Sequence, residues 1–248
     1  MSGFSSTEML IVAMAREFRD GEVIVMGAVP RIPLAACRVA KALHAPGLTY
    51  IVGGSGTVNP TAFPQSSCDP ALGEGVVALP LTDVVLLEGR GDILDVFCAG
   101  GLQIDAFGNC NLSAVGDWAK PSLRGPGTVG LPFLPATKRS VIYTTAHNPK
   151  TLVERVDFIS GPGHARSADL DRPYRREGPS LVVTPMATLD FDPQSRRMRV
   201  RSVHPGCTES EVREATGFDL GAGYPVSVTP MPTDQELHAL RQIDVDRA

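Results

Sequence analysis

A mixed α/β fold, with a mostly parallel open sheet and an antiparallel C-terminal part, follows from three features of this 248-residue sequence. The first 52 residues alternate helix-like and buried-strand patterns in β-α-β order, which calls for a crossover between parallel strands. The last third alternates apolar and polar residues between turn signals, as antiparallel strands do. No internal repeat or low-complexity tract competes with this reading. The composition shift near residue 160 is too weak to mark a boundary, so residues 1–248 read as a single domain.

Residues 6–19 read as an amphipathic helix, with Ser6 or Thr7 as cap and Met9, Leu10, Ala13 and Phe18 as its stripe. Asp20-Gly21 ends it. Val23 to Met26 is a short apolar run bounded by turn residues, the pattern of a buried strand. Pro33 opens a second helix through about His44, and Pro46-Gly47 ends it. Leu48 to Val52 is the next buried strand. Of the runs Leu81–Leu87 and Ile93–Cys98, one reads as a strand and the other as a helix end. Gln103–Ala106, Phe107-Gly108-Asn109 and Cys110–Val115 read as strand, turn, strand, and residues 116–135 as loops. Ser140–Thr144 and Leu152–Ile159 are further strands, and residues 160–179 a surface excursion. Leu181–Thr184, Ala187–Asp192 and Met198–Val203 form the antiparallel set, with a turn at Asp192-Pro193. Thr208 with Glu211, and Thr233 with Glu236, have the spacing of capping boxes before two C-terminal helices.

Composition narrows the function classes. Apolar residues make up 43% and charged residues 20%, and the net charge is −4, which gives no footprint for nucleic acid. The basic stretches Arg172–Arg176 and Arg196–Arg201 are interrupted and read as solvated surface. Five scattered cysteines without a C-x-x-C pair point to reduced thiols in a cytoplasmic protein. The five histidines lack metal-ligand spacing, so no metal site is expected. No secretory leader pattern and no long apolar run is present, so no membrane partner is expected.

The chemistry-bearing feature is the turn Gly53-Gly54-Ser55-Gly56 that follows the Leu48–Val52 strand. Glycines there let the backbone bend sharply and approach a ligand, yet the turn holds no acid or base. A dinucleotide fingerprint is absent, because G-x-G-x-x-G fails after both early strands. A nucleophile elbow at Ser55 would need glycine at position 57, where Thr57 stands. Cys68 reads as an inert thiol. A second glycine-rich loop, Gly100-Gly101 with Gln103, could present backbone N–H groups to an anion or a developing oxyanion, or could be a plain hairpin. The same two readings hold for Pro126-Gly127-Thr128-Val129-Gly130.

Three segments carry a family resemblance. GGLQIDAFGNCNLSAVGDWAKPSLRGPG (residues 100–127) resembles class I coenzyme A transferase β subunits, with a Gly-rich, Gln-containing strand before a D-x-x-G-N turn. VHPGCTESEVREATGFDL (203–220) and PTDQELHALRQID (232–244) resemble the C-terminal signature of the same subunits, of the glutaconate type. The resemblance implies an open three-layer α/β/α sheet of the CoA-transferase type, a coenzyme A thioester as substrate without a permanently bound cofactor, and an α subunit as partner in an α2β2 enzyme. It also implies a nucleophilic glutamate at the position occupied here by Gly54, in front of Ser55-Gly56. Glycine offers no nucleophile for covalent transfer, and its small size is expected to leave room for a bulkier substrate or a water molecule.

Within the family this pattern is similar to the β subunits of hydrolases that open the last steroid ring in cholesterol-type catabolism. That resemblance implies water-driven retro-Claisen cleavage of a cyclic diketone. Gly53, Gly54, Ser55, Gly56, Gly100, Gly101 and Gln103 then bind substrate or oxyanion, and Asn59, Gly127 and Thr128 belong to a CoA loop. Asp105 and Asp117 are poor bases by position, so the base is expected from the α subunit. Two alternatives stand beside this reading: a true transferase whose glutamate is Glu74 or Glu88, and a scaffold subunit that only completes the partner's pocket.

Overall fold

The computed structural model describes residues 3–27, 30–64, 66–73, 75–164, 178–221, 223 and 225–245. Glu74 and the Arg172–Arg176 stretch lie outside the described residues. The chain divides into two compact units, Met1–Cys98 with Met231–Ala248, and Ala99–Pro230.

In the first unit, helix α1 (Ser6–Ala15) is capped by Ser5, whose hydroxyl accepts from the Glu8 N–H while the Glu8 carboxylate accepts from the Ser5 N–H. The expected cap at Ser6 or Thr7 is thus displaced by one or two residues, because the reciprocal Ser5/Glu8 box satisfies two orphan donors at once. The helix is not amphipathic either. Met9 to Ala15 are all buried, so it is a core helix. Strand β1 (Val23–Met26), helix α2 (Arg31–Leu43) and strand β2 (Thr49–Val52) form the expected β-α-β unit, with β1 and β2 parallel in register Val23 with Thr49 through Met26 with Val52. Strand β3 (Thr57–Val58) turns back antiparallel to β2, and β4 (Val77–Ala78) pairs antiparallel with β3. Helix α3 (Leu81–Glu88) then leads to β5 (Val96–Gly100), which pairs parallel to the other side of β1.

The C-terminal helix (Asp234–Val245) returns to this unit and packs on α1 and α2. Its capping box is present: the Thr233 hydroxyl accepts from Glu236 N, and Glu236 Oε2 accepts from Thr233 N. The same carboxylate takes both arms of Arg16, at 2.7 Å each, and Arg16 also donates to the Met231 carbonyl at 2.9 Å.

In the second unit, β6 (Gln103–Asp105) and β7 (Cys110–Asn111) form the expected hairpin. The strand stops at Asn111, short of Val115. The Asn111 side-chain oxygen accepts from Ser113 N and Ala114 N, and this local turn competes with the ladder. Beyond it β8 (Ala114–Val115) pairs with β9 (Leu123–Arg124). Strand β10 (Arg139–Tyr143) follows. Only Leu152–Val153 of the expected Leu152–Ile159 strand forms, as β11, parallel to β6. Strands β12 (Pro179–Val183), β13 (Ala187–Phe191) and β14 (Met198–Val203) make the antiparallel set, with β10 parallel to β12. Asp192 accepts from Gln194 N and Ser195 N in the turn between β13 and β14. Helix α4 (Glu209–Glu214) carries its Thr208/Glu211 box, and β15 (Ser227–Val228) pairs parallel to β14.

Arg16→Met removes the cation that joins α1 to the C-terminal helix and leaves the half-buried Glu236 carboxylate without it. The expected loss is about 1–3 kcal/mol, read as a lower urea midpoint with an unchanged denaturant slope.

Candidate functional site

Strand β2 delivers the chain into Gly53-Gly54-Ser55-Gly56, and β3 carries it back. The turn is closed by Gly56 N to the Val52 carbonyl, 2.8 Å, with Gly56 at φ +70°. A side chain at Gly56 would strike the Leu79 carbonyl, so only glycine fits there. Gly53 N donates to the Met26 carbonyl at 2.9 Å, which ties the start of the turn to β1. Ser55 serves the turn as well: its hydroxyl lies 3.4 Å from the Val52 carbonyl and accepts from Thr57 N at 3.3 Å. Among the described residues, the N–H groups of Gly54 and Ser55 have no partner. Of the four donors expected from this turn, two are spent on the fold and two adjacent ones remain.

Room at Gly54 is not what the sequence suggested. A Cβ there would run into the Ser67 side chain, which is buried at 3% exposure. The space freed by the missing side chain is filled by this chain's own serine. That loop is braced from α2: Arg38 donates to the carbonyls of Pro60, Thr61 and Ala62, and both Arg31 and Arg38 lie over the Phe63 ring. Asn59, expected near coenzyme A, uses its side-chain oxygen to accept from Tyr50 N at 3.0 Å, at φ +46°. It holds the β2–β3 hairpin together.

One acidic side chain lies against the turn. Glu88 Oε1 is 3.4 Å from the point where a Cβ on Gly53 would stand. Glu88 ends α3, and with Val84, one turn earlier, it is the buried residue of that helix at 6% exposure. Leu81, Val85 and Leu86 of the same helix are exposed. The helix therefore shows apolar residues to the outside and a carboxyl to the inside, the reverse of the ordinary surface helix. No described residue hydrogen-bonds the Glu88 carboxyl. Burial alone pushes its pKa up to about 7.

In the second unit, the Gln103 side chain makes three hydrogen bonds. Its carbonyl accepts from Asn111 Nδ2 at 2.7 Å and Asp157 N at 3.1 Å, and its amide donates to Asp157 Oδ2 at 2.9 Å. It is a hub of the β6–β7 hairpin, with three hydrogen bonds inside the chain. Gly100 packs against the Tyr143 ring, and Gly101 would press a Cβ onto the Gln103 and Asn111 carbonyls. Asp105 accepts from Phe107 N, Asn109 N and the Asn109 amide, so the D-x-x-G-N motif is a structural turn. Asp117 likewise accepts from Ala119 N and Lys120 N. Gly127 has φ +101° with open space around its Cβ direction, and Val129, two residues on, sits at φ +50°. Thr128 lies between them, so this loop keeps the exposed, strained backbone expected of a ligand contact.

Three of the histidines are held by hydrogen bonds inside the chain. His147 bridges the Thr184 and Thr216 hydroxyls, and burial lowers its pKa to about 4. His204 bonds the Thr229 hydroxyl and the Thr184 carbonyl, and His164 the Pro179 carbonyl. None of the five cysteines is in a disulfide, and Cys37, Cys98 and Cys110 are buried. Among the described residues no His/Cys/Asp/Glu group could hold a metal ion, and no helix is long and apolar enough to cross a membrane.

The profile described as Coenzyme A transferase matches residues 7–215. The chain belongs to this family. It is 31% identical to a 3-oxoadipate CoA-transferase subunit of Pseudomonas knackmussii, over 100% of this chain and 96% of that one. It is 29% identical to the cholesterol ring-cleaving hydrolase IpdB subunit of Mycobacterium tuberculosis, over 95% of this chain and 93% of that one. The glutaconate coenzyme A-transferase structure from Acidaminococcus fermentans superposes with a TM-score of 0.85 at 26% identity, covering 97% of this chain and 94% of that one. The family and the mixed α/β fold read from the motifs are thereby borne out. The protein is a CoA-transferase-family subunit of a heteromeric enzyme.

The pKa of Glu88 has a consequence for stability. Its folded value, about 7, lies above its ordinary 4.5. Below 4.5 the group is protonated in both states and costs nothing. As pH rises through this window the unfolded state releases its proton first, so stability falls until the cost is complete above 7. Glu88→Gln is therefore expected to stabilise the protein at pH 8, by up to about 3 kcal/mol, and to change it little at pH 4.5. Thermal unfolding at the two pH values checks this.

Proposed function

We propose that this chain is the β subunit of an α2β2 enzyme of the cytoplasm that uses water to open a cyclic diketone attached to coenzyme A. The ring is of the steroid type, and the step is a retro-Claisen cleavage. One observation carries the reading: the turn after β2 has no carboxylate, and position 54 is closed to a side chain while Ser67 keeps its place. A nucleophilic glutamate at this position is incompatible with that packing. What the turn offers is a pair of unspent N–H donors at Gly54 and Ser55, suited to an oxyanion that develops when water adds to a ketone. Likeness to the IpdB subunit supports the ring-opening chemistry. The two compact units form one CoA-transferase-like domain in this reading, since the family profile runs through both. The Gly127-Thr128 loop, rather than Asn59, is the part offered to the CoA moiety, with Gly100 and Gly101 as further backbone contacts.

A second reading, acyl-CoA:carboxylate transfer, is favoured by the 31% identity to a transferase subunit and by the carboxyl of Glu88 beside Gly53. The two part on one experiment. The chain, assembled with its α subunit, is given cyclic β-keto acyl-CoA esters in ¹⁸O-labelled water, and in parallel an acyl-CoA followed by borohydride. Hydrolysis predicts labelled oxygen in the new carboxylate and no reduced glutamate in this chain. A borohydride-trapped glutamate returns the transferase. Gly54→Ala, which must displace Ser67, is expected to cut ring opening about 10–100-fold without preventing assembly. Unchanged turnover would leave this chain a scaffold.

A further inference from the structure

We infer that Glu88 is the group that moves the proton in this site: it faces the reacting atoms across the bare backbone of Gly53. The inference rests on the ring-opening reading above and supplies from this chain the base that the sequence alone left to the α subunit.

The geometry carries it. Gly53 has no side chain, and on the side where a Cβ would point, Glu88 Oε1 lies 3.4 Å from the Cβ position, next to the Met26 carbonyl oxygen at 2.8 Å. The next two residues of the turn, Gly54 and Ser55, hold the N–H groups that no described residue uses. The carboxyl thus lies against the first residue of a four-residue turn whose next two residues carry the unspent donors. Glu88 is more than nine-tenths buried and has no hydrogen-bond partner among the described residues. A structural glutamate would be exposed, paired or capped, and this one is none of these. Burial is the cause of its raised pKa of about 7, with no charged neighbour contributing, so both protonation states are populated near neutral pH.

The step balances with water as the only co-reactant. The Glu88 carboxylate takes a proton from water, and the water oxygen bonds to the ring ketone carbon. The ketone π pair moves to its oxygen, which the Gly54 and Ser55 N–H groups stabilise. The C=O re-forms as the bond to the thioester α-carbon breaks, and that electron pair is held as the thioester enolate. The Glu88 carboxylic acid returns its proton to this carbon. The net change is one water added: a carboxylic acid at one end and a C–H at the other.

The test uses the α–β enzyme with Glu88→Gln and Glu88→Asp, and 2-oxocyclohexanecarboxyl-CoA as probe. Glu88→Gln is expected to lower kcat about 10²–10⁴-fold with KM little changed, and to abolish the limb of the pH–kcat profile near 7. Glu88→Asp is expected to recover part of the rate. Without any substrate, infrared difference spectra of the wild type should show a protonated carboxyl that titrates near 7 and is missing from Glu88→Gln. Full turnover and an unchanged profile in Glu88→Gln overturn the inference and leave the hydrolase reading standing. A wild-type enzyme that never opens the probe counts against the hydrolase reading instead, and the infrared titration then decides Glu88 alone. A borohydride-reduced Glu88 overturns both.

Discussion

A carboxyl group largely buried and given no protein donor keeps its proton to higher pH, and the fold around it must accept the cost of its charge. Glu88 is in that position, and much of the first unit is arranged around it. Gly53 has to be glycine because a Cβ there would stand 2.8 Å from the Met26 carbonyl oxygen, and the carboxyl lies in contact range of the same point. Gly53 is in turn fixed by its hydrogen bond to Met26, so the parallel pairing of β1 with β2 sets where the carboxyl faces. Helix α3 turns Val84 and Glu88 inward and leaves Leu81, Val85 and Leu86 exposed on this chain.

The turn obeys a similar economy of hydrogen bonds. Gly53 and Gly56 commit their N–H groups to Met26 and Val52, and Ser55 and Asn59 commit side-chain oxygens to Thr57 and Tyr50. These bonds leave the turn rigid, so the two donors that remain, at Gly54 and Ser55, are held in place before any ligand arrives. Preorganised donors of this kind are worth most where an oxyanion develops, because no reorganisation is needed as charge forms. Arg38 extends the same rigidity to the chain after β3, by collecting the three successive carbonyls of Pro60, Thr61 and Ala62.

How far the sequence revealed all this depended on the range of the interactions. Capping boxes at Thr208/Glu211 and Thr233/Glu236 are local, and both formed as read. The β-α-β start and the three C-terminal antiparallel strands are carried by apolar runs and turn residues, which also act locally. Cys110–Val115 failed as one strand because the Asn111 side chain captures the next two N–H groups, a choice between two local options that periodicity does not decide. Gln103 was read as a ligand contact because a strand amide beside glycines looks available. Its three internal partners come from residues 8 and 54 positions away. Glu88 was visible only as one of two spare glutamates. Its segment, Leu81–Glu88, is apolar at almost every position, and only the tertiary fold shows that the charged residue is the one turned inward.

A single buried carboxyl could serve either of the two chemistries, and its environment discriminates between them. To form an acyl intermediate, a glutamate must be ionised and must reach the thioester carbonyl with a free oxygen. Burial that lifts the pKa to about 7 leaves only about half of the groups ionised at neutral pH, and a carboxylate seated behind a backbone turn has a short reach. A proton carrier has the opposite needs. It works best when its pKa matches the working pH, when both forms are present, and when a water molecule can stand between it and the carbon under attack. Glu88 meets those needs while Gly54, where a nucleophile would have to stand, is filled from behind by Ser67.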